Sequence, residues 1–301
     1  MRHALKPADL LSLSFIALLG TITVLSITAL HSWGRLLATY FLLGAAIISL
    51  AVYRPRSGTK KLFFYLHTFL TVVTILIIFN SLGDIIPDLW RRRTFDNVLI
   101  RIDHSLFGVH PTVFMERLIN PVLTAVLQFA YISYYFIPIS LGVVLIAKGK
   151  YDEFEDALFG IVLCFYLSYI GYLLVPAVGP RFTLNHLQTA DLQATPFIKA
   201  IQETLNGWEH NKTDAFPSGH TAVALMTFYY SRKCREKALF GILLPVVSAL
   251  IFSTVYLRYH YVVDVIAGIG LTLLTIYLTP KLYDCLSRAS GQPGDERHHS
   301  A

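Results

Sequence analysis

The chain has 301 residues, of which 54% are hydrophobic and 15% are charged, and its formal net charge at pH 7 is +6. A soluble domain carries roughly a quarter charged residues, so the composition excludes an ordinary soluble globular protein. The positive charge does not predict nucleic-acid binding, because the Lys and Arg residues fall in short segments between long apolar runs.

Those apolar runs predict membrane spans in chain order. A helical span needs about 20 apolar residues. Eight runs are near that length, at 10–34, 36–52, 62–83, 118–147, 157–180, 215–231, 238–257 and 261–283. The sequence therefore predicts an all-α integral membrane protein with about eight transmembrane helices.

The first run is predicted to be a retained span. Arg2 and Lys6 precede it, as in a signal peptide, but the run is too long for a signal peptide and no small-residue cleavage site clearly ends it. At the other end of the sequence, the polar tail (291–301) is predicted to be disordered.

The three cysteines, Cys164, Cys234 and Cys285, are an odd number without metal-ligand spacing. They support neither a disulfide framework nor a zinc site. No metal site is predicted from them.

Basic residues are unevenly distributed between alternate loops, which predicts the orientation in the membrane. The richer set contains Arg54, Arg56, Lys60, Lys61, Lys148, Lys150, Arg232, Lys233, Arg235 and Lys237. By the positive-inside rule, these loops and both termini are cytoplasmic. Arg181, His220 and His260 then face the other side, which is the periplasm for a bacterial inner-membrane protein and the lumen for an organelle.

Two long connections interrupt the spans. In residues 84–120, apolar positions 95, 98, 99, 102 and 106 recur at helical spacing with charges on the other face. This pattern predicts an amphipathic helix in the headgroup layer, with the arginines at 91–93 among lipid phosphates. A solvated loop anchored by Trp90 is the alternative. The second connection, 181–214, is predicted to cover the chemical groups that follow.

His260 and Asp264 are four residues apart at the start of the last predicted span, so they share one helical face. A carboxylate there can accept a hydrogen bond from one imidazole nitrogen and leave the other free as a nucleophile. Because a carboxylate inside a span is costly, an unpaired structural Asp264 is disfavoured. A purely structural polar pair remains the alternative.

Residues 217–220, Pro-Ser-Gly-His, open the sixth predicted span. Proline suits the first turn of a helix, and the unpaired N–H groups there attract anions. His220 could protonate a leaving oxygen or deprotonate water. Arg181, which ends the fifth span, and Arg258 carry guanidinium groups that suit phosphate oxygens, although interfacial anchoring also explains them.

Together these residues resemble the three-part signature of the type 2 phosphatidic acid phosphatase superfamily, which also includes vanadium haloperoxidases. The matching parts are Arg181, then residues 217–220, then Arg258, His260 and Asp264. The resemblance covers roughly the last six predicted spans. It implies a six-helix, phosphatase-like membrane domain (62–290) preceded by a two-helix N-terminal extension (1–61).

The resemblance also implies roles and partners. His260 is the implied nucleophile, which forms a phosphohistidine, Asp264 orients it, and His220 is the acid and base. The implied ligands of the phosphoryl oxygens are Arg181, Ser218, Gly219 and Arg258. No metal or cofactor is implied, and the implied partners are membrane lipids and a lipid phosphate substrate.

The chain departs from the family pattern at two places. A lysine usually precedes Arg181 by seven residues, where this chain has Leu174, and Ser-Arg usually stands six residues before His260, where it has Ser253-Thr254. Residues 256–264 and 103–111 instead resemble the branch that contains inositol phosphorylceramide synthases. His104 and His110, in the second segment, are interpreted as surface histidines.

Three functions follow as hypotheses. The first is hydrolysis of a lipid phosphate, of the phosphatidic acid or polyprenyl diphosphate type, at the non-cytoplasmic face. The second is an inositolphosphotransferase that moves a phosphoryl headgroup to a lipid hydroxyl. The third is a lipid carrier or scaffold, which explains the arginines but not an oriented His–Asp pair beside a second histidine. The oligomeric state stays open.

Overall fold

The computed structural model describes residues 5–53, 57–190, 192, 207 and 210–290. Its helices are α1 (Pro7–Leu25), α2 (Trp33–Val52), α3 (Lys60–Leu89), α4 (Asp96–Phe107), α5 (Pro111–Phe114), α6 (Pro121–Ile132), α7 (Ile137–Ala147), α8 (Tyr151–Leu174), α9 (Pro180–Thr183), α10 (Gly219–Lys233), α11 (Lys237–Tyr256) and α12 (Val262–Ala289). No β-strand occurs within these ranges, which confirms the all-α fold. The tail at 291–301 and most of 191–209 lie outside the described residues.

The predicted number of eight spans is not confirmed. Among the described residues, six helices are long and apolar enough to cross a membrane, namely α1, α2, α3, α8, α11 and α12. A seventh candidate is bent by 52° between Pro121–Tyr135 and Ile137–Ala147. Helix α10, predicted as the sixth span, has 15 residues. It extends about 22 Å, which is less than the roughly 30 Å of hydrocarbon in a bilayer.

Helix α8 lies at the centre of the bundle, where it packs against α1, α3, α7, α10 and α12. In its most apolar stretch 61% of the residues are buried, against 22–39% in the other five long helices. Its acidic residues are confined to the first two turns. The middle of α8 is therefore apolar on every side, as expected for a helix surrounded by other helices.

The two N-terminal helices pack against the rest of the bundle. Helix α1 contacts α2, α3, α8 and α12. The ring of Phe15 stacks on Tyr166 of α8 with centroids 4.4 Å apart, and the Tyr166 hydroxyl donates to Ser12 Oγ at 2.9 Å. The division of the chain at residue 61 stays a prediction.

Helix α4 corresponds to the predicted amphipathic helix. Asp96, Leu99 and Asp103 are buried against the protein, whereas Ile102 and Leu106 are exposed. The acidic residues and Leu99 therefore face inward, while the exposed apolar residues point away from the bundle, as lipid-contacting residues would. Its position in the headgroup layer stays a prediction.

Candidate active site

His260 immediately precedes α12, and its ring is held by groups on two elements. Its Nδ1 lies 2.8 Å from the Ala215 carbonyl oxygen and 3.5 Å from Asp264 Oδ2. Because a carbonyl oxygen can only accept, Nδ1 carries the proton in this arrangement and Nε2 presents a lone pair. Asp264 is fully buried, and its Oδ2 accepts the Tyr261 backbone N–H at 2.8 Å. The carboxylate thus fixes the turn that carries His260.

His220 lies in the first turn of α10, and the two imidazoles meet. His220 Nδ1 is 3.2 Å from His260 Nε2. The His220 ring packs against Tyr131 and Tyr134, with centroid distances of 4.7 and 4.4 Å. The sequence therefore identified two histidines, forty residues apart, that the fold brings into hydrogen-bonding distance.

Ser218 and Gly219 lie behind His220 and are fully packed. The Ser218 hydroxyl caps α10 by accepting from the Thr221 N–H at 3.3 Å, and its backbone N–H donates to the Asp264 carbonyl at 3.0 Å. A Cβ on Gly219 would lie 2.2 Å from the Tyr172 hydroxyl. These contacts join α8, α10 and α12 at the site. The roles of Ser218 and Gly219 as phosphate ligands stay predictions.

Arg181 lies on α9 and lines the same pocket as the two histidines. Its guanidinium is 4.6 Å from the Phe182 ring centroid and 4.7 Å from that of Tyr259. Its backbone N–H donates to the Arg258 carbonyl at 2.9 Å. Aromatic faces restrict the guanidinium without neutralising its charge, so Arg181 retains the capacity to bind an anion.

Arg258, the second predicted phosphate-binding arginine, lies in a different environment. Its guanidinium donates to Glu116 Oε1 at 2.9 Å and to the Ala190 carbonyl at 2.6 Å. Burial of Glu116 opposes ionisation, but hydrogen bonds from Thr189 and Ala190 and the charge of Arg258 outweigh it and lower the pKa of Glu116. Arg258 is absent from the pocket lining given below, and its role toward phosphate stays a prediction.

The pocket encloses about 450 Å³, counting space open to solvent. Its lining consists of Tyr131, Val178, Arg181, Phe182, Asn211, Lys212, Asp214, Ala215, His220, Tyr259 and His260. It combines nucleophilic, acidic and cationic groups with aromatic walls.

Asp96 has a positioning role that no sequence motif indicated. This carboxylate, 2% exposed, accepts the backbone N–H groups of Val178 and Gly179 at 3.1 and 2.9 Å and the Tyr261 hydroxyl at 2.8 Å. It therefore links the loop before Arg181 to the start of α12. Periodicity placed Asp96 on the charged face of its helix but did not show that this face points inward.

Asp103, seven residues later on the same face of α4, performs a related task. It accepts the N–H groups of Val262 and Val263 at 2.9 and 2.8 Å and so caps α12 beside His260. Burial raises the pKa of Asp103, although these two hydrogen bonds act against the shift. Helix α4 thus holds both the loop before Arg181 and the helix that begins after His260.

The described residues contain no group of three or more His, Cys, Asp or Glu side chains that could hold a metal ion. The three cysteines are free, with Cys164 and Cys234 buried and Cys285 exposed. His104 is exposed, and its ring lies 5.0 Å from that of His110, outside the pocket lining.

Comparisons with known proteins identify relatives of the chain. The chain is 25% identical over 259 residues to the PA-phosphatase related-family protein of Dictyostelium discoideum, an alignment that covers 73% of this chain and 46% of that relative. The chain thus spans about half the length of the curated relative it matches.

No solved structure gives a significant match. The family model described as PAP2 superfamily matches residues 97–278, more than half of the chain and all of its candidate catalytic residues. The chain therefore belongs to the PAP2 superfamily.

Proposed function

We propose that the protein is a membrane phosphatase or phosphotransferase that hydrolyses a lipid phosphate, of the phosphatidic acid or polyprenyl diphosphate type, through a phosphohistidine. The observation that carries this proposal is the state of His260. Its Nδ1 is tied to a carbonyl, and its Nε2 lies 3.2 Å from His220 in a pocket that contains Arg181. Membership of the PAP2 superfamily and the printed name of the Dictyostelium relative support the same reaction class.

In the first step, the lone pair of His260 Nε2 attacks phosphorus. A P–N bond forms and the P–O bond to the leaving oxygen breaks, while His220 gives a proton to that oxygen. The leaving oxygen is the alcohol oxygen of a lipid monophosphate or the bridging oxygen of a lipid diphosphate. Arg181 offsets the charge on the non-bridging oxygens. The N–H to carbonyl contact between His260 and Ala215 keeps the ring orientation as the ring becomes cationic.

In the second step, His220, now without that proton, takes one from water as the water oxygen attacks phosphorus. The P–N bond breaks, phosphate leaves and His260 regains its lone pair. The 3.2 Å separation between the two imidazoles leaves no room for phosphorus between them. Substrate binding therefore has to separate the rings. Because the Ala215 carbonyl holds His260 at 2.8 Å, we expect the His220 ring to be the one that moves.

Metal independence is part of this proposal, because nucleophile, proton donor and cation are all side chains of the pocket. A detergent-purified preparation in EDTA should release phosphate from a panel of lipid monophosphates and diphosphates. His260→Ala should lower the rate at least a thousandfold, since the remaining groups cannot form the covalent intermediate. Labelled substrate should leave an acid-labile, base-stable phosphoryl group on the wild type.

His104→Ala is the matched control, because its imidazole is exposed and outside the pocket; it should retain wild-type turnover. Full activity of His260→Ala would refute the assignment. A wild type that binds lipid phosphates in EDTA but neither turns over nor accepts label would instead support the carrier or scaffold.

The alternative function is an inositolphosphotransferase that moves a phosphoryl headgroup to a lipid hydroxyl. The resemblance of residues 256–264 and 103–111 to inositol phosphorylceramide synthases supports it. Both activities share the first step and differ in whether water or a lipid hydroxyl accepts the phosphoryl group. Headgroup-labelled phosphatidylinositol with ceramide should give a labelled lipid product if transfer dominates and none if the protein only hydrolyses phosphomonoesters.

We further propose that both termini are cytoplasmic and that the pocket opens on the periplasmic or lumenal side. In spheroplasts of a bacterial host, a membrane-impermeant maleimide should label exposed Cys285 only after permeabilisation, since Cys164 and Cys234 are buried. A Cys285→Ser, Arg92→Cys variant should be labelled without permeabilisation. The reverse pattern would contradict the orientation and leave the chemistry intact.

A further inference from the structure

Arg181 shares the pocket with an acidic side chain. Among the lining residues that the structure describes, the carboxylate of Asp214 accompanies it, so these two groups together provide no net positive charge for an anionic substrate. Position 174 supplies no positive charge, because Leu174 is apolar and 62% exposed on the surface of α8. The pocket lining contains one more cation, Lys212.

Lys212 belongs to a loop that α3 holds in a fixed position. The His210 backbone N–H donates to Asn80 Oδ1 at 3.1 Å, and its ring Nε2 lies 3.1 Å from Asp84 Oδ1. Between them, Gly83 permits close backbone approach, since a Cβ there would lie 2.9 Å from the Asn211 nitrogen. The loop therefore enters the pocket from an anchored start.

The other end of the loop is anchored as well. The Ala215 N–H donates to the Ala177 carbonyl at 3.0 Å, in a parallel bridge that joins Ala177 to Asp214. Since Ala215 also provides the carbonyl that orients His260, the loop and the nucleophile are positioned by the same backbone.

Asn211 provides an independent sign of a missing ligand. Its side chain is 1% exposed, and its Oδ1 accepts both the N–H and the hydroxyl of Thr213 at 3.1 and 2.9 Å. These bonds orient the amide and leave Nδ2 as a buried donor without a hydrogen-bond partner in the described structure. Buried donors are normally satisfied, and this one belongs to a residue that lines the pocket.

We infer that Asn211 and Lys212 form a second phosphoryl-binding arm of the pocket, in which Asn211 Nδ2 donates to a non-bridging oxygen of the substrate and the Lys212 ammonium adds a second cationic group beside Arg181. The inference rests on the proposed function and extends it, because it assigns two substrate-binding residues outside the three sequence motifs. The ligand class is a phosphoryl group that carries at least one negative charge, or its vanadate mimic.

The test compares Lys212→Met and Lys212→Arg in the full-length, detergent-purified protein. Lys212→Met should raise KM for the lipid phosphate and the inhibition constant of orthovanadate by about tenfold or more, with a smaller change in kcat. Such a factor corresponds to one charge-assisted hydrogen bond. Lys212→Arg should restore most of both. Lys281→Met, which removes an ammonium packed on Tyr277 of α12, is the matched control and should change neither.

Asn211→Asp tests the donor, because it keeps an oxygen for Thr213 and replaces Nδ2 by a second oxygen. It should weaken vanadate binding more than Lys212→Met does, since a donor becomes a repelling charge. If Asn211→Asp does not fold, the Lys212 pair decides alone, because Lys212 is exposed.

The arm and the proposed function fail in different ways. Thermal stabilisation by orthovanadate measures binding without turnover. If wild type and Lys212→Met are stabilised equally and share one KM, the arm is wrong while loss of activity in His260→Ala still upholds the chemistry. If no lipid phosphate is hydrolysed, weaker vanadate stabilisation of Lys212→Met still supports the arm.

Discussion

The two ends of α10 (Gly219–Lys233) carry charged and titratable side chains in contrasting arrangements. Beyond its C-terminal end, Glu236 is 3% exposed and accepts hydrogen bonds from Lys148 and Lys150, while Lys233 pairs with Asp156 at 2.6 Å. At its N-terminal end, His220 faces His260 across a pocket that Arg181 lines. The charged groups at one end are joined in direct ion pairs, and the groups at the other end surround a pocket.

The difference separates charges that stabilise the fold from charges that are positioned for a ligand. A buried carboxylate with two ammonium partners needs nothing further. At the pocket end, Arg181 lies between aromatic rings and Asn211 Nδ2 has no partner in the described structure. Groups held in position at some cost to stability are typical of binding sites. Mutations at the two ends should therefore affect different measurements.

The largest expected effect is at the pocket end. His220→Ala should reduce phosphate release from an alkyl phosphate by roughly 10²–10⁴-fold, the usual contribution of a general acid. An aryl phosphate, whose leaving group needs no proton, should lose much less in the first step, measured as the burst of released phenol. His260→Ala should lose both reactions.

Equal losses on alkyl and aryl phosphates in His220→Ala would assign this histidine to packing against Tyr131 and Tyr134 instead of proton transfer. A thermal unfolding curve decides whether such a loss is structural. The mutation should lower the unfolding temperature only slightly, because His220 is half-buried and not part of a closed core.

An intermediate effect is expected where α4 supports the pocket end. Asp103→Ala removes the acceptor of the Val262 and Val263 N–H groups. It should cost about 1–2 kcal/mol of stability, the usual value of a helix cap, and lower kcat by about tenfold or more, because the start of α12 carries Asp264. Asp103→Asn retains one acceptor and should recover part of kcat.

Ser105→Ala is the control on the same helix, since its hydroxyl bonds only to the Arg101 carbonyl on the exposed side. It should leave kcat and stability close to wild type. If Asp103→Ala lowered stability but left kcat unchanged at a temperature where the variant is fully folded, the positioning role of α4 would be wrong.

The sequence predicted the helical fold because composition and apolar runs depend on local properties. It did not predict the count of spans, since α10 is short and the run at 118–147 is bent by 52°. The length of an apolar segment in the sequence does not determine where a helix within it ends. The first predicted span, 10–34, likewise continues past Leu25, where α1 ends.

The site residues were predictable only where a short sequence motif contained them. His220, His260 and Asp264 stand in short recognisable strings, and the structure brings the two histidines together. The sequence treated Arg181 and Arg258 alike, whereas Glu116, 142 residues from Arg258, binds only the second. Long-range partners of this kind have no local signal.

The smallest expected effect is at the paired end of α10. Its two lysine partners lower the pKa of Glu236, so the folded protein keeps this carboxylate ionised at pH values where the unfolded chain takes up a proton. The resulting stability is present above the ordinary carboxyl range and is lost as the pH falls through the lowered pKa. Glu236→Gln should therefore cost about 1–2 kcal/mol near pH 7, the scale of hydrogen bonds to a charged group. The difference in unfolding temperature from wild type should shrink below about pH 4.5, the ordinary glutamate range.

Turnover per folded molecule of Glu236→Gln should not change, because Glu236 and its lysine partners lie at the end of α10 away from His220. A variant whose turnover fell while its stability held would show that the two ends are coupled, and the separation drawn between them would then be wrong.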